Sequence, residues 1–280
     1  GFVAISLCEY VALYGRDHFD LALQTLHELT RYGSAEFAVR PFLAADFDRT
    51  LAVMRGWTDG ENEHVRRLAS EGTRPRLPWS FRLDRVIKDP SLTFPIPEAL
   101  RADPSLYVRK SAANHLNDIA KDNPVWLLDR LAGWPAVAPE ERWVVRHALR
   151  TLIKKGDSRA LALIGATGKA DVRVEAFSVA PERLKLGERL HLKAKLVSTG
   201  YTGQRLVIDY AIHYVKKNGA TSRKVFKLRE VDLPPGAEWE ASTSQVVRDF
   251  TTRSHNPGFH RVELIVNGQT LAQGGFYLAV

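Results

Sequence analysis

The sequence predicts an α-helical repeat solenoid over residues 1–168 followed by an antiparallel β-sandwich over residues 171–280. Three observations point there. Apolar residues in the first part recur at three- and four-residue intervals, the period of amphipathic helices. After Ala166-Thr-Gly-Lys169 the interval drops to two, the period of half-buried strands. Asn267-Gly268 stands between Glu263-Leu-Ile-Val266 and Gln269-Thr-Leu271, and such a pair tolerates the two positive φ angles of a tight hairpin turn.

Taken in order, the helices are separated by Gly33-Ser34, Asp59-Gly60, Asp89-Pro90, Asp103-Pro104, Asn123-Pro124 and Gly156-Asp157. Phe37-Ala-Val-Arg40, His64-Val-Arg-Arg67, Tyr107-Val-Arg-Lys110 and Trp143-Val-Val-Arg146 each open a short amphipathic helix. Their spacing of a few tens of residues suits helix pairs stacked in a solenoid of the HEAT type. Each Val is expected to pack into the stack and each adjacent Arg to project along an exposed, groove-lining face. Ser34 is placed to cap the helix that carries Glu36.

In the second part, Leu190, Leu192, Ala194 and Leu196 share one face of a strand. Leu206, Ile208, Tyr210, Ile212 and Tyr214 share one face of the next. Breaks at Gly187, Gly200 to Gly203, Asn218-Gly219 and Pro234-Pro-Gly236 divide the region into about seven strands. That pattern predicts an immunoglobulin-like sandwich without the cysteine pair.

The formal charge of +8 favours an anionic partner, nucleic acid first. The charge is uneven: 24 basic against 22 acidic residues up to position 171, and 16 against 10 beyond it. A single cysteine, Cys8, excludes an intrachain disulfide and fits a reducing, cytoplasmic compartment. The nine histidines are scattered, so neither metal nor cofactor is expected. No apolar run suits a bilayer span. The first residues already read as mid-helix, which predicts that an N-terminal segment precedes them. A monomer is expected.

The richest segment is Tyr107-Val-Arg-Lys-Ser-Ala-Ala-Asn-His-Leu-Asn-Asp-Ile-Ala-Lys-Asp-Asn-Pro124. Val108, Ala112, His115 and Ile119 form a helical stripe, with Ala113 and Leu116 beside it. Asn114, Asn117 and Asp118 lie on or next to this stripe, where a plain core helix prefers Leu or Ala. A carboxylate there is costly unless it is paired or functional.

This segment, with Asn62-Glu-His-Val-Arg-Arg-Leu-Ala-Ser-Glu-Gly72 and Arg74-Pro-Arg-Leu-Pro-Trp-Ser-Phe81, resembles the HEAT-like-repeat alkylpurine DNA glycosylases of the AlkC type. The likeness runs over most of residues 1–165, and some such proteins carry a C-terminal immunoglobulin-like domain. The resemblance implies a monofunctional DNA repair glycosylase. It would hydrolyse the N-glycosidic bond of cationic N3-alkylated bases, 3-methyladenine or 3-methylcytosine, in duplex DNA, without swinging the base into a deep pocket. Asp118 matches the family's catalytic Asp and Glu36 a site carboxylate.

Excision of a base that is already a cation needs little leaving-group protonation. It needs an anion against the oxocarbenium-like sugar, a positioned water and an aromatic face for the cationic base. Asp118 and Glu36 are the candidate acids. Asp118 is alternatively a structural Asp near a helix end, and Glu36 an ordinary first-turn charge. Trp79, in a loop beside Arg74 and Arg76, suits lesion or sugar contact, or packing between repeats. Phe94 is a second such aromatic. Arg66, Arg67, Arg74, Arg76, Arg109, Lys110 and Arg146 are candidate phosphate contacts. Each alternatively pairs with acids such as Asp103, Glu63 or Glu140. Glu63 and Glu71 read as helix-end charges. No lysine in a desolvated motif beside Asp118 supports Schiff-base chemistry. In the sandwich, Lys216, Lys217, Arg223, Lys224, Arg253 and His255 lie on loops that can touch DNA or serve as solvated tips. The rival reading is a non-catalytic HEAT-repeat scaffold that binds nucleic acid or protein. A third makes the sandwich an adhesion or carbohydrate module.

Overall fold

The computed structural model describes residues 2–135, 138–166, 168–251 and 254–279. The chain divides into two compact units, Gly1–Leu152 and Ile153–Val280.

The first unit is helical: α1 (Phe2–Tyr14), α2 (Phe19–Leu29), α3 (Arg40–Ala45), α4 (Phe47–Gly56), α5 (Glu63–Gly72), α6 (Asp84–Lys88), α7 (Pro95–Ala99), α8 (Leu106–Asp122), α9 (Pro124–Ala132) and α10 (Pro139–Ala148). Helix α11 (Arg150–Lys155) spans the division, and α12 (Ser158–Leu163) belongs to the second unit. Asp and Asn side chains start several helices by accepting otherwise unpaired backbone N–H groups, as Asp46 does from Arg49, Asn62 from His64 and Asp157 from Ala160.

Helix α8 is the hub, with α5, α7, α9 and α10 packed on it. The predicted stripe is buried, and so are Ser111, Asn117 and Asp118. A helix enclosed on several sides has no polar face to spare, so its polar groups need internal partners. Leu23, Phe42, Met54, Leu68 and Val108 are among the core residues that tie the helices together, each fully buried large apolar side chain contributing roughly 1.5–3 kcal/mol. Two local expectations fail. Trp143-Val-Val-Arg146 stands inside α10, which opens at Pro139. Residues 36–39 form turns, and α3 starts only at Arg40, with Pro41 in its first turn.

The second unit contains β1 (Val172–Ala180), β2 (Arg183–Lys185), β3 (Arg189–Ser198), β4 (Gln204–Val215), β5 (Thr221–Leu233), β6 (Glu238–Val246), β7 (Gly258–Val266) and β8 (Gln269–Ala279). A three-stranded sheet runs β1-β3-β6 and a five-stranded sheet β2-β8-β7-β4-β5. All pairings are antiparallel except that of β2 with β8. The strand beyond the expected seven is β2, whose three residues are too few to show an alternation. The faces predicted for β3 and β4 are buried. Asn267 and Gly268 take φ of 46° and 79°, the conformation the hairpin requires. Gly268 lies against Gly156, where an added Cβ would fall 2.3 Å from the Gly156 Cα.

Candidate active site

Helix α5 delivers the first acid. It ends at Gly72, where a side chain would meet Val39 at 2.5 Å and Met54 at 2.8 Å, so only glycine lets the helix pack this closely. Thr73 closes the end by donating to the Ala69 carbonyl at 2.7 Å. Glu71 is thereby held inside, facing α8, and accepts from Ser111 Oγ at 2.6 Å.

Arg74 joins the two helices. Its Nη1 donates to Glu71 Oε1 at 2.6 Å and its Nε to Asp118 Oδ2 at 2.8 Å. Asp118 is 1% exposed and Arg74 9%. Burial opposes the charge of Arg74, but Glu71 and then Asp118 outweigh it and raise its pKa above the ordinary value. Lys121 Nζ, one turn along α8, donates to Asp118 Oδ1 at 2.7 Å. On the other side of Glu71, Arg67 Nη2 lies 3.8 Å away. The same Arg67 contacts Glu36 at 2.7 Å and Ser34 Oγ at 2.8 Å, and its guanidinium covers the Tyr107 ring at 4.9 Å. Ser34 also donates to Glu36 at 2.7 Å. The result is a chain of alternating charge: Glu36, Arg67, Glu71, Arg74, Asp118, Lys121. It places an anion where cations crowd, since Arg40, Arg76 and Arg150 also lie within electrostatic reach of Asp118.

The loop after α5 carries the aromatic. Arg76 binds Asp122 through Nε at 2.6 Å and Nη2 at 2.5 Å, four residues along α8 from Asp118. That pairing holds the Asp122 carboxyl below its usual range. Leu77-Pro78-Trp79-Ser80 then turns, with the Ser80 N–H bonded to the Leu77 carbonyl at 3.3 Å. Proline suits the second position of such a turn, and glycine the third, which needs positive φ. Here the third residue is Trp79, at φ 63° and 97% exposed. A bulky side chain in a left-handed conformation and in water gains nothing from packing, so Trp79 is a candidate contact residue.

Arg40 secures both limbs of this loop. It is fully buried, donating through Nη1 to the carbonyls of Gly72 (3.0 Å) and Arg74 (2.9 Å) and through Nη2 to that of Phe81, and it stacks on the Phe81 ring. Burial, and then the neighbouring Arg74, lower its pKa to about 10. The expectation that it lines a groove is therefore corrected: its charge serves carbonyls left unpaired where α5 ends.

Other predicted positions divide. Phe94 is buried edge-on against Trp126 (5.2 Å) and beside Trp134 (5.8 Å), so its own ring offers no open face to a lesion. Arg66 clasps Asp103 through Nε at 2.6 Å and Nη2 at 3.1 Å and also bonds the Gly60 and Glu61 carbonyls. Arg109 folds back onto the carbonyls of Asp103 (2.6 Å) and Pro104 (3.0 Å). Both are struts of the 103–104 turn, not groove arginines. Lys110 is exposed and Arg146 half-buried.

In the sandwich, Lys216, Lys217 and Lys224 are exposed, Lys224 lying over the Phe226 ring. Arg223 is drawn to Glu263 at 3.1 Å. His255 is buried, bonded to Asp249 through its backbone N–H at 2.7 Å and its ring at 3.2 Å, so it shapes its loop. Arg253 lies outside the described residues.

Sequence reasoning took Glu71 for a helix-end charge, left Lys121 unnamed and sent Arg40 to the groove, whereas the structure brings Glu71 and Lys121 into the Asp118 network. Glu71 and Arg74 are three apart and Asp118 and Lys121 likewise, the helical pairing distance, which was the available signal. Lys121 is a solvent-facing ammonium in an ion pair, 42% exposed, not a desolvated amine. His115 is entirely enclosed: its Nδ1–H donates to the Ser70 carbonyl at 3.1 Å and its Nε2 accepts from Thr93 at 3.0 Å. Burial, with Arg74 adding, lowers its pKa to about 3, so it is a neutral strut. No group of residues suited to hold a metal occurs among the described residues. No helix among them is long and apolar enough to cross a membrane.

Comparison with known proteins places these features. A family profile described as "DNA alkylation repair enzyme" matches residues 2–152, and one described as the C-terminal Ig-like domain of YhaZ matches residues 173–280. An uncharacterised protein of Bacillus subtilis, YhaZ, is 40% identical over 269 residues, covering 96% of this chain and 75% of its own. The solved structure of the Pseudomonas fluorescens alkylpurine DNA glycosylase AlkC, bound to DNA containing an abasic site analog, superposes with a TM-score of 0.96 at 53% identity, covering all of this chain and 78% of that one. With a matching profile over half of its length and these likenesses across both units, the chain belongs to the DNA alkylation repair enzyme family.

Proposed function

We propose that this protein is a monofunctional DNA glycosylase that hydrolyses the N-glycosidic bond of cationic N3-alkylated bases in duplex DNA, 3-methyladenine first and 3-methylcytosine second. The observation that carries the reading is Asp118, a buried carboxylate fixed at Oδ2 by Arg74 and linked through Arg74 to Glu71, in a chain this similar to AlkC. An anion held in fixed orientation in a poorly solvated site opposes the positive charge that grows on the sugar as the bond breaks. Asp118 is the electrostatic partner of the oxocarbenium-like sugar. Glu36 and Glu71, both on the Arg74 side of Asp118, hold the attacking water, which gives its proton to one of these carboxylates as its oxygen bonds the sugar carbon and the base departs. Exposed Trp79 supplies a π face to the cationic base or its sugar. Lys110 and Arg146 contact the phosphate backbone, and Arg67 and Arg76 add positive field beside it. Lys216, Lys217 and Lys224 are the sandwich residues suited to join them.

The test is incubation with duplex DNA alkylated by a methylating agent, followed by chromatography of the released bases. Release of 3-methyladenine, lost on Asp118→Asn, is the expected result. DNA binding with no base release would favour the scaffold reading.

A further inference from the structure

Asp118 is 1% exposed and both of its oxygens are hydrogen-bonded, so nothing reaches the carboxylate until a partner moves. The two partners differ in how firmly they are held. Arg74 is 9% exposed and also bound to Glu71, whose second oxygen is fixed by Ser111, and its own carbonyl is held by Arg40. Lys121 is 42% exposed, sits on a flexible four-carbon stem, and among the described residues is held by one hydrogen bond, to Asp118 Oδ1. Movement of Lys121 into water therefore costs least, and it uncovers Oδ1 alone.

We propose that Lys121 is a positioning residue that occupies the substrate's cationic seat on Asp118: its ammonium covers Oδ1 in the free protein and yields that oxygen only to a ligand bearing its own positive charge. The proposal rests on the glycosylase reading, because the arriving charge is that of the alkylated base or of the oxocarbenium-like sugar. Exchange of one cation for another leaves the buried carboxylate paired throughout. A neutral ligand has nothing to offer Oδ1 in return for its counter-ion, the costly case for a buried charge, so Lys121 stays in place beside it. Asp118 thus opens only to a cation, in competition with Lys121, and stays closed over undamaged duplex. The cations around Asp118 fit this scheme. Arg74 remains on Oδ2, and Arg40, Arg76 and Arg150 keep the carboxylate in a positive field while Lys121 is away.

The test compares three duplexes by fluorescence anisotropy. One carries a neutral tetrahydrofuran abasic site, one a protonated pyrrolidine at the same position, and one no lesion. Lys121→Met removes the competing ammonium, so the preference for pyrrolidine over tetrahydrofuran should rise by about tenfold, the worth of one ion pair made without breaking another. Lys121→Arg, which can pair with Asp118, should bring the preference back toward that of the unaltered protein. An unchanged preference in Lys121→Met, or equal weakening toward all three duplexes as expected of a mere phosphate contact, would overturn the proposal. Should the unaltered protein bind neither lesion better than undamaged duplex, the glycosylase reading itself fails, an outcome distinct from a failure of Lys121 alone.

Discussion

Asp118→Asn changes one charge at constant shape, and the structure sets what it should do. The amide still accepts from Arg74, and Arg74 keeps Glu71 as its anion at 2.6 Å. Lys121 is exposed enough to be solvated when its pairing goes. Truncating one partner of a buried pair costs about 3–5 kcal/mol. With the hydrogen bond and the second anion retained, the loss of stability should be smaller, about 1–3 kcal/mol, or roughly 2–4 °C in Tm per kcal/mol for a chain of this size. Domains are stable by about 5–15 kcal/mol, so the variant stays folded at 25 °C. Catalysis should suffer more. The lost anion stabilises charge that exists only in the transition state, at about 3 kcal/mol or more, which is a drop above a hundredfold in single-turnover base release. A destabilised control separates the two effects. Phe94→Leu loosens the buried aromatic cluster by about 1–2 kcal/mol and should leave release within a few-fold of the unaltered protein. Equal release by both variants, after both are shown folded by calorimetry, would refute a catalytic role for Asp118.

Four further outcomes follow from the structure. Trp79→Gly and Trp79→Ala should each lower release of cationic bases by about tenfold, a contact worth roughly 1–2 kcal/mol. Because only glycine is at ease at φ 63°, the Gly variant should melt higher than the Ala variant; the reverse order would deny that the turn is strained. Acid should unfold the helical unit in part through His115, whose folded pKa of about 3 lies below its unfolded value near 6.5. Its stabilising contribution is present above pH 6.5 and falls by up to about 1.4 kcal/mol per unit as pH drops toward 3. Melting curves of His115→Gln should therefore slope less steeply with pH, with His147, lowered to about 4, keeping some slope. Arg109→Ala should lower Tm and leave the salt dependence of duplex binding alone, since Arg109 is committed to the 103–104 turn. Replacing Lys216, Lys217 and Lys224 together by Ala should flatten that dependence by up to about three units of slope. Identical slopes would remove the sandwich tip from the DNA site.

What the sequence revealed and what it hid have physical reasons. The switch of period from 3.6 to 2, and Asn267-Gly268, are local signals, and helix gives way to strand where the period changes, although the compact units divide earlier, between Leu152 and Ile153. The burial of α8 was legible from its stripe, and Asp118 stood out because it broke the stripe. The arginines were misjudged because a Val-Arg step says which way a side chain starts, not where its long end finishes. Arg66, Arg109 and Arg40 all turn back to carboxylates or carbonyls that come from other segments of the chain. Phe94 looked like a loop aromatic because its partners, Trp126 and Trp134, lie more than thirty residues away. Trp79 was noticed for its company of arginines, although Pro78 before it already announced a turn with a place for glycine.

Arg40 spans the base of the 73–81 loop like a rung between two rails, touching Gly72 and Arg74 on one and Phe81 on the other. A rung of fixed length sets the width of the ladder. Adding or removing a residue between Arg74 and Phe81 would pull one rail off the guanidinium and leave a buried cation half-paired. The loop is therefore closed to insertions and deletions, the ordinary means by which surface loops diversify. Variation in this loop is then left to exchange of side chains on a frame of constant length, and position 79, whose side chain bears no packing duty, is open to it within the limits that its positive φ sets.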